Sequence, residues 1–420
     1  METKTASPEK EFFFTATEPE FRTQEMLLNM GPSHPAMHGI VKIAVKLQGE
    51  LVVDADVEIG YLHRAFEKSC EACTWNQAII YTDRLNYVSP IINNVGYCMA
   101  VEKLLGVEIP PRGQYIRTLL CEVSRVADHL TCVAAAAMEL GAMTVFLYMM
   151  KGREYLYELL EDFCGARVTT TAVRVGGQPA DLPDGWLEKL AKAIKEVRII
   201  LKECHALLTC NRIFYDRVRG TGIMKADDAI SYGFTGPCLR AAGVDYDVRK
   251  NFPYLVYDQV DWAIPVGTEG DNYDRYLVRM EEMEQSCKIL EQCAKKIPKG
   301  PHSVEDKRIM LPDKRNTYGN IEGLMNHFKL IMHGHGIRVP VGEAYQAVEA
   351  GNGELGFYVV SYPIEGEEND GCASRPWKVR CRPPCFHFVA ALPDMIKSDM
   401  VADVIPTFGS LNMIGGELDR

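Results

Sequence analysis

Residues 29–39 read NMGPSHPAMHG, with two prolines and two glycines in eleven residues. Proline fixes φ, lacks an amide donor and pushes the preceding residue away from the helical region. His34 and His38 are four apart, yet this composition predicts a stiff, tight turn and not one face of a helix. Strand patterns flank the turn. Met26, Leu27 and Leu28 come before it. After it, Val41, Ile43, Val45 and Leu47 alternate with Lys42 and Lys46, the period of a half-buried strand. Beyond Gln48 and Gly49 the alternation resumes. Leu51, Val53, Ala55, Val57 and Ile59 are expected on one face, and Asp54, Asp56 and Glu58 on the other. A sheet that presents imidazoles on a rigid loop is built to place a chemical group. A histidine bonded to its own backbone is the plainer alternative for either residue.

At 420 residues the chain exceeds one small core, and two or three subdomains are expected. A net charge of −11 with no basic stripe argues against nucleic acid as a partner. Fourteen cysteines without a secretory signal point to a reducing compartment and free thiols. Residues 131–150, TCVAAAAMELGAMTVFLYMM, are long enough to span a bilayer and carry one charge, Glu139. A lipid-exposed carboxylate in mid-segment is expensive, so a buried bundle helix is expected instead.

Coarse periodicity divides the remainder. Residues 91–106 are helical and close on Gly106. Pro110 and Pro111 open a helical region from 114 to about 166, with interruptions expected near Gly141 and Gly152. Another helix runs to about Cys210. Residues 219–253 are expected as glycine-punctuated loops, 271–296 as a long amphipathic helix, and 321–333 as helix. Short strands follow at 343–349, 354–362 and 377–382. The fold class expected is α+β and mainly helical, a central bundle of long helices with small β-sheets in the N- and C-terminal parts. The expected division is an extended arm at 1–24, a sheet domain at 25–75 carrying the 31–39 loop, a helical bundle at 76–300 and a mixed α/β portion at 301–420.

Several motifs fail on inspection. Gly351, Gly353 and Gly356 match a dinucleotide fingerprint in spacing, but that mechanism needs a helix directly afterwards, and GELGFYVVSY is strand-like. Cys70 with Cys73 and Cys381 with Cys385 could form a four-thiolate site, although free buried cysteine is the commoner case. No clustered run of iron–sulfur cysteines is present. The chain is expected to bind no metal, nucleotide or cluster by itself.

Seven blocks then read together: GPSHPAMHG at 31–39, GYLHRAFEK at 60–68, YTDRLNY at 81–87, AVEKLLGVEIPPR at 100–112, LRAAGVDYDVRK at 239–250, GELGFYVVS at 353–361 and GSLNMIGGELDR at 409–420. In order and spacing they resemble the 49-kDa (D-type) subunit of respiratory complex I, the proton-pumping NADH:quinone oxidoreductase, from about residue 25 to the last residue. That family is itself similar to the large subunit of nickel–iron hydrogenases, which implies a hydrogenase-like fold. A working hydrogenase holds its metals with two CxxC pairs. The corresponding positions here are Asn86 and Ser89, and Ile414 and Glu417. None is a thiolate, and isoleucine offers no ligand to a soft metal. The residues therefore argue against hydrogenase activity and imply an emptied metal chamber open to another electron acceptor.

In complex I that acceptor is a quinone, which takes up two electrons and two protons. The resemblance implies that the electrons arrive from a [4Fe–4S] cluster on an adjacent subunit. It assigns hydrogen bonding to the two ends of the headgroup to His38 and Tyr87. An imidazole donates near neutrality, and a phenol stays neutral there. The family places an aspartate in the apolar helix to orient the histidine. Glu139 holds that position here, and its extra methylene leaves direct contact with His38 open. Arg84 is implied to lie near the cluster. Many relatives carry a histidine where this chain has Thr169, and a hydroxyl does not titrate near neutrality. The cluster potential is therefore expected to change little between about pH 6 and 8. His34 is expected to shape the loop.

The implied partners are the B-type cluster-bearing subunit, the C-type 30-kDa subunit, the I-type ferredoxin-like subunit and the membrane H-type subunit. The implied location is peripheral, on the cytoplasmic side of the bacterial inner membrane, with the isolated chain inactive. Two alternatives stay open. One is the same subunit in a quinone reductase driven by ferredoxin or a deazaflavin. The other is an assembly scaffold with no part in the chemistry.

Overall fold

The fold is that of a computed structural model describing residues 25–37, 39–332, 335–363 and 371–420. The arm expected at 1–24 lies outside the described residues. The alternating apolar residues after the proline-rich turn form the expected meander: β1 (Glu25–Met30), β2 (Lys42–Gln48) and β3 (Leu51–Glu58), all antiparallel. Val41, Ile43, Val45 and Leu47 are buried. The alternation in β3 departs from expectation at its start. Val52, not Leu51, is buried, because the register shifts between Lys46 and Leu47. One extra residue on β3 turns every side chain before it to the other face.

The helical centre begins with α1 (Phe66–Glu71) and α2 (Trp75–Thr82), the latter opened by a Thr74–Gln77 capping box. Next come α3 (Pro90–Leu105), α4 (Pro111–Glu139) and α5 (Met143–Cys164). Both α3 and α4 have proline in the first helical turn, where no amide donor is needed. The apolar segment 131–150 is broken at Gly141, whose φ of +88° ends α4 and lets α5 turn back. Gly152 does not interrupt α5. It is a contact point where a Cβ would sit 3.4 Å from Leu130 and Ile200.

The bundle continues with α6 (Trp186–Cys204) and α7 (Arg212–Val218). The stretch expected as loops contains three short helices, α8 (Ala226–Tyr232), α9 (Gly236–Ala241) and α10 (Val248–Asn251). They are too brief for periodicity to register. After them α11 (Asn272–Lys296), capped by Asp271, packs along α4.

The final third holds α12 (Lys314–Gly319), α13 (Ile321–Ile331) and two small antiparallel sheets. One pairs β4 (Val339–Pro340) with β7 (Cys372–Ala373). The other orders β5 (Gly342–Glu349), β6 (Glu354–Ser361) and β8 (Lys378–Arg382). Three further helices follow that the strand-and-turn reading omits: α14 (Pro384–Ile396), α15 (Val401–Ser410) and α16 (Gly415–Asp419). Pro393 and Pro406 lie inside the first two, which is why propensity spoke against them. Among the described residues no helix is long and apolar enough to cross a membrane.

Two apolar cores result. The larger runs through α2 to α6, α11 and the β5–β6–β8 sheet. The smaller is built from both ends of the chain, β2 and β3 against α14, α15 and α16. Backbone bonds close it: the Val52 amide donates to Asp399 and the Ser398 amide returns to Val52, each at 2.9 Å. The Asp419 carboxylate accepts from the Gly60 and Leu62 amides.

Where α4, α9, α10, α11 and β5 meet, three guanidiniums and four carboxylates are buried together. Arg249 pairs with Asp247 at 2.8 Å and Glu282 at 3.0 Å. Arg240 pairs with Glu349 at 2.9 Å, and Arg125 with Glu122 at 3.1 Å. Burial opposes the charge on Glu282, but Arg240, His129 and Arg249 hold its carboxyl well below the usual range.

Candidate functional site

The turn between α2 and α3 is fixed by Asn86. Its side-chain oxygen accepts from the Val88 and Ser89 amides at 3.1 and 3.2 Å, a local Asx turn that leaves Tyr87 projecting outward. Tyr87 is 43% exposed. It lines a cavity of about 230 Å³ between this turn, the end of α4, α5 and the segment after α15. Ile40, Glu139, Arg153, Tyr157, Val168 and Asn412 share that lining.

Glu139 stands on the last turn of α4. One of its carboxylate oxygens is buried without a hydrogen-bond partner, and burial pushes its pKa up to about 7. Gly409 of α15 lies so close to this carboxylate that a side chain there would displace it. The group is thus poised to exchange a proton near neutrality. Burial, and then the charge of Asp128, raise the Tyr87 phenol above its ordinary range, so it stays a hydrogen-bond donor. Across the cavity the Arg153 guanidinium stacks on Tyr157, 4.9 Å from the ring centroid, and its buried Nε has no partner.

Behind Tyr87 lies a fully buried carboxylate, Asp128 of α4. Asn86 Nδ2 and Ser89 Oγ donate to its Oδ2 at 3.0 and 2.7 Å. Asn412 Nδ2 donates to its Oδ1 at 3.1 Å and also bonds Asn352. Asn352 Nδ2 reaches Glu417 Oε2 at 3.3 Å. Burial lifts the pKa of Glu417 to about 7. Of the four residues expected at the places of hydrogenase thiolates, Asn86, Ser89 and Glu417 belong to this polar chain, and Ile414 lines the cavity.

The structure brings Tyr87 and Glu139 to one cavity. His38 lies outside the described residues. Ile40, two positions further on, lines the same cavity. His34 Nδ1 accepts the Ala36 amide at 3.2 Å, a contact within the loop itself. Arg84 and Thr169 are not among the residues lining the cavity. Arg84 Nη1 donates to the Ile80 carbonyl at 2.7 Å, and its side chain is partly exposed. Thr169 has φ of +52°, unusual for a β-branched residue, and follows Val168 of the cavity wall. Their segments do meet, because Thr171 Oγ1 donates to Asp83. Burial raises Asp83 to about 6.

Sequence reasoning missed Asp83, Asp128, Arg153 and Asn412. A signal existed for Asp128. Arg117, Glu122, Arg125, Asp128 and His129 follow one another along a helix whose intervening residues are largely apolar, and polar groups there need buried partners. All fourteen cysteines are free, and burial lifts the thiols of Cys70, Cys381 and Cys385 far above their ordinary range. Among the described residues no group of three or more His, Cys, Asp or Glu is placed to hold a metal ion. After Gly351 and Gly353 the chain enters β6, so the helix that the fingerprint requires directly after its glycines is a strand here.

Comparison with known proteins accords with the block pattern. Residues 139–420 match the family model described as respiratory-chain NADH dehydrogenase, 49 Kd subunit. The chain is 54% identical over 399 residues to the D-type subunit of NADH-quinone oxidoreductase from Myxococcus xanthus, covering 95% of this chain and 94% of that one. It is 51% identical over 395 residues to the D-type subunit from Pelobacter propionicus, covering 94% and 95%. It is also 51% identical over 393 residues to the combined C/D-type subunit from Bdellovibrio bacteriovorus, covering 94% of this chain and 68% of that longer one. The chain therefore belongs to the 49-kDa, or D-type, subunit family of complex I, as one subunit of an oxidoreductase complex.

Proposed function

We propose that the cavity between Tyr87 and Glu139 receives a quinone headgroup and that this chain is the quinone-site subunit of its complex. The observation that carries the reading is the shared lining. A phenol, a carboxyl that titrates near 7 and the residue two beyond His38 border one largely apolar space. Tyr87 hydrogen-bonds one carbonyl oxygen and His38 the other. Glu139 exchanges protons with the site or with the imidazole. Electrons come from a [4Fe–4S] cluster on the B-type subunit, and Arg84 and Thr169 face that side. The fold that supports this is hydrogenase-like, with the metal chamber refilled by the Asp128 hydrogen-bond chain. The four segments 1–24, 25–75, 76–300 and 301–420 are the proposed division of the chain.

The C-type subunit is the best supported partner, because the Bdellovibrio relative carries both the C and the D designation in one chain. The B-, I- and H-type subunits complete the proposed neighbourhood. The chain is peripheral, on the cytoplasmic side of the inner membrane, and inactive alone. A complex fed by ferredoxin or a deazaflavin would use the same site, and neighbouring genes for a flavin-binding NADH module would separate the two.

Replacing His38 by Ala and Tyr87 by Phe in the assembled complex tests the reading. Each change should lower quinone reduction by about a hundredfold, the scale of a lost proton donor. Electron transfer from the donor to the cluster should stay intact. Full quinone reduction with both changes in place would favour a scaffold. Thr169→His should make the cluster potential fall with rising pH, and the unchanged protein should give a nearly flat titration.

A further inference from the structure

The Tyr87 turn is anchored from behind by the Asp128 carboxylate, with Asn93 Nδ2 donating to the Asn86 carbonyl beside it at 3.2 Å. Asn86 and Ser89, on either side of Tyr87 and Val88, both donate to one oxygen of Asp128. The other oxygen holds Asn412, which lines the opposite wall of the cavity. Asp128 is fully buried, and among the described residues no cation forms an ion pair with it. A buried carboxylate without a cation is costly to keep. Its three donors come from the α2–α3 turn and from the segment after α15, parts of the chain distant in sequence and adjacent only at the cavity. Gly351 allows this packing, since a Cβ there would overlap the carboxylate.

We propose that Asp128 is the positioning residue of the site, clamping the Tyr87 turn to the Asn412 wall and so setting the gap into which the ring enters. The proposal rests on the reading of Tyr87 as a headgroup donor. Asp128 touches no substrate. It acts through Tyr87 by fixing the phenol where the carbonyl oxygen arrives. The negative charge also opposes ionisation of the phenol, keeping the proton on the donor. Orientation of this kind governs turnover more than binding, since a misplaced group can still be approached by substrate.

The test is Asp128→Asn in the assembled complex, read with a short-chain quinone. The amide keeps one acceptor oxygen and turns an NH2 toward one of the present donors, which breaks one side of the clamp. We expect kcat to fall about tenfold with KM nearly unchanged. In a Tyr87→Phe background the same change should cost less than about a further twofold, the mark of residues acting as a unit. Ser89→Ala removes one donor, keeps the charge and decides the matter if Asp128→Asn fails to assemble. It should lower kcat about threefold at constant KM. A full kcat in Asp128→Asn, or in Ser89→Ala where that variant decides, would overturn the inference. So would a tenfold loss that persists undiminished in the Tyr87→Phe background. If Tyr87→Phe itself reduced quinone at the full rate, the reading of Tyr87 would fall and the inference with it. A slow Tyr87→Phe beside a fast Asp128→Asn would remove the inference alone.

Discussion

Two buried polar assemblies hang on α4, and they follow opposite rules. Near the middle of the helix, Glu122 and Arg125 enter a cluster where Arg240 and Arg249 meet Asp247, Glu282 and Glu349. Every charge there faces an opposite one. Further along, Asp128 and Glu139 form no ion pair with any cation among the described residues, and Glu417 at the end of the same polar chain shares that condition. Compensated charges lock helices together, because breaking one leaves its partner stranded. Burial raises the carboxyls of Glu139 and Glu417 to about 7, so a ligand or pH can change their protonation. The same helix is therefore a structural strut along one stretch and a wall of the site along the next.

The comparison breaks most visibly at Arg249. It pairs with two carboxylates and packs over Trp262 at 4.3 Å. Arg249→Leu should cost about 3–5 kcal/mol, because Asp247 and Glu282 would be left buried and unpaired. Thermal melting of the complex and its yield would report the loss. A variant with a normal melting profile would show that the cluster is not a lock.

Glu139→Gln sharpens the other side with a smaller effect. The carboxyl ionises near 4.5 when unfolded and near 7 when folded. The folded form therefore holds the proton more tightly, and stability present at low pH is lost as pH rises from about 4.5 to about 7. Glutamine cannot ionise, so the variant should gain on the parent chain across that window and run parallel to it above. Melting midpoints at several pH values would show this. Parallel curves throughout would mean that Glu139 is not held protonated.

At the bottom of the scale stands Arg212, whose ion pair with Asp216 at 3.3 Å lies in water. Arg212→Ala should change stability by at most about 0.5 kcal/mol. A larger loss in the same melting assay would blur the distinction between buried and exposed charge on which the comparison depends.

The sheet, the long helices and the position of Glu139 were legible in the sequence because each leaves a local mark, whereas Tyr87 was named only through the family resemblance. Val41 to Leu47 alternate, Gly106 closes a helix, and Glu139 is a lone charge in an apolar run. What stayed hidden depends on contacts remote in sequence. The bulge in β3 is set by pairing, not by its own residues. The proline-bearing α14 and α15 are held by the smaller core against β2 and β3, and tertiary packing there overrides propensity. Asp128 gains its meaning only when Asn412 comes to it from 284 residues away. The break at Gly141 was expected, but the one expected at Gly152 is absent, because that glycine is a contact point inside α5.

The most direct measurement is a structure of the assembled complex with a short-chain quinone bound. The ring should lie in the cavity beside Tyr87, with one carbonyl oxygen at hydrogen-bond distance from the phenol and the other from the His38 imidazole. A headgroup seated elsewhere, or His38 and Tyr87 opening into separate spaces too far apart to hold one ring, would contradict the account.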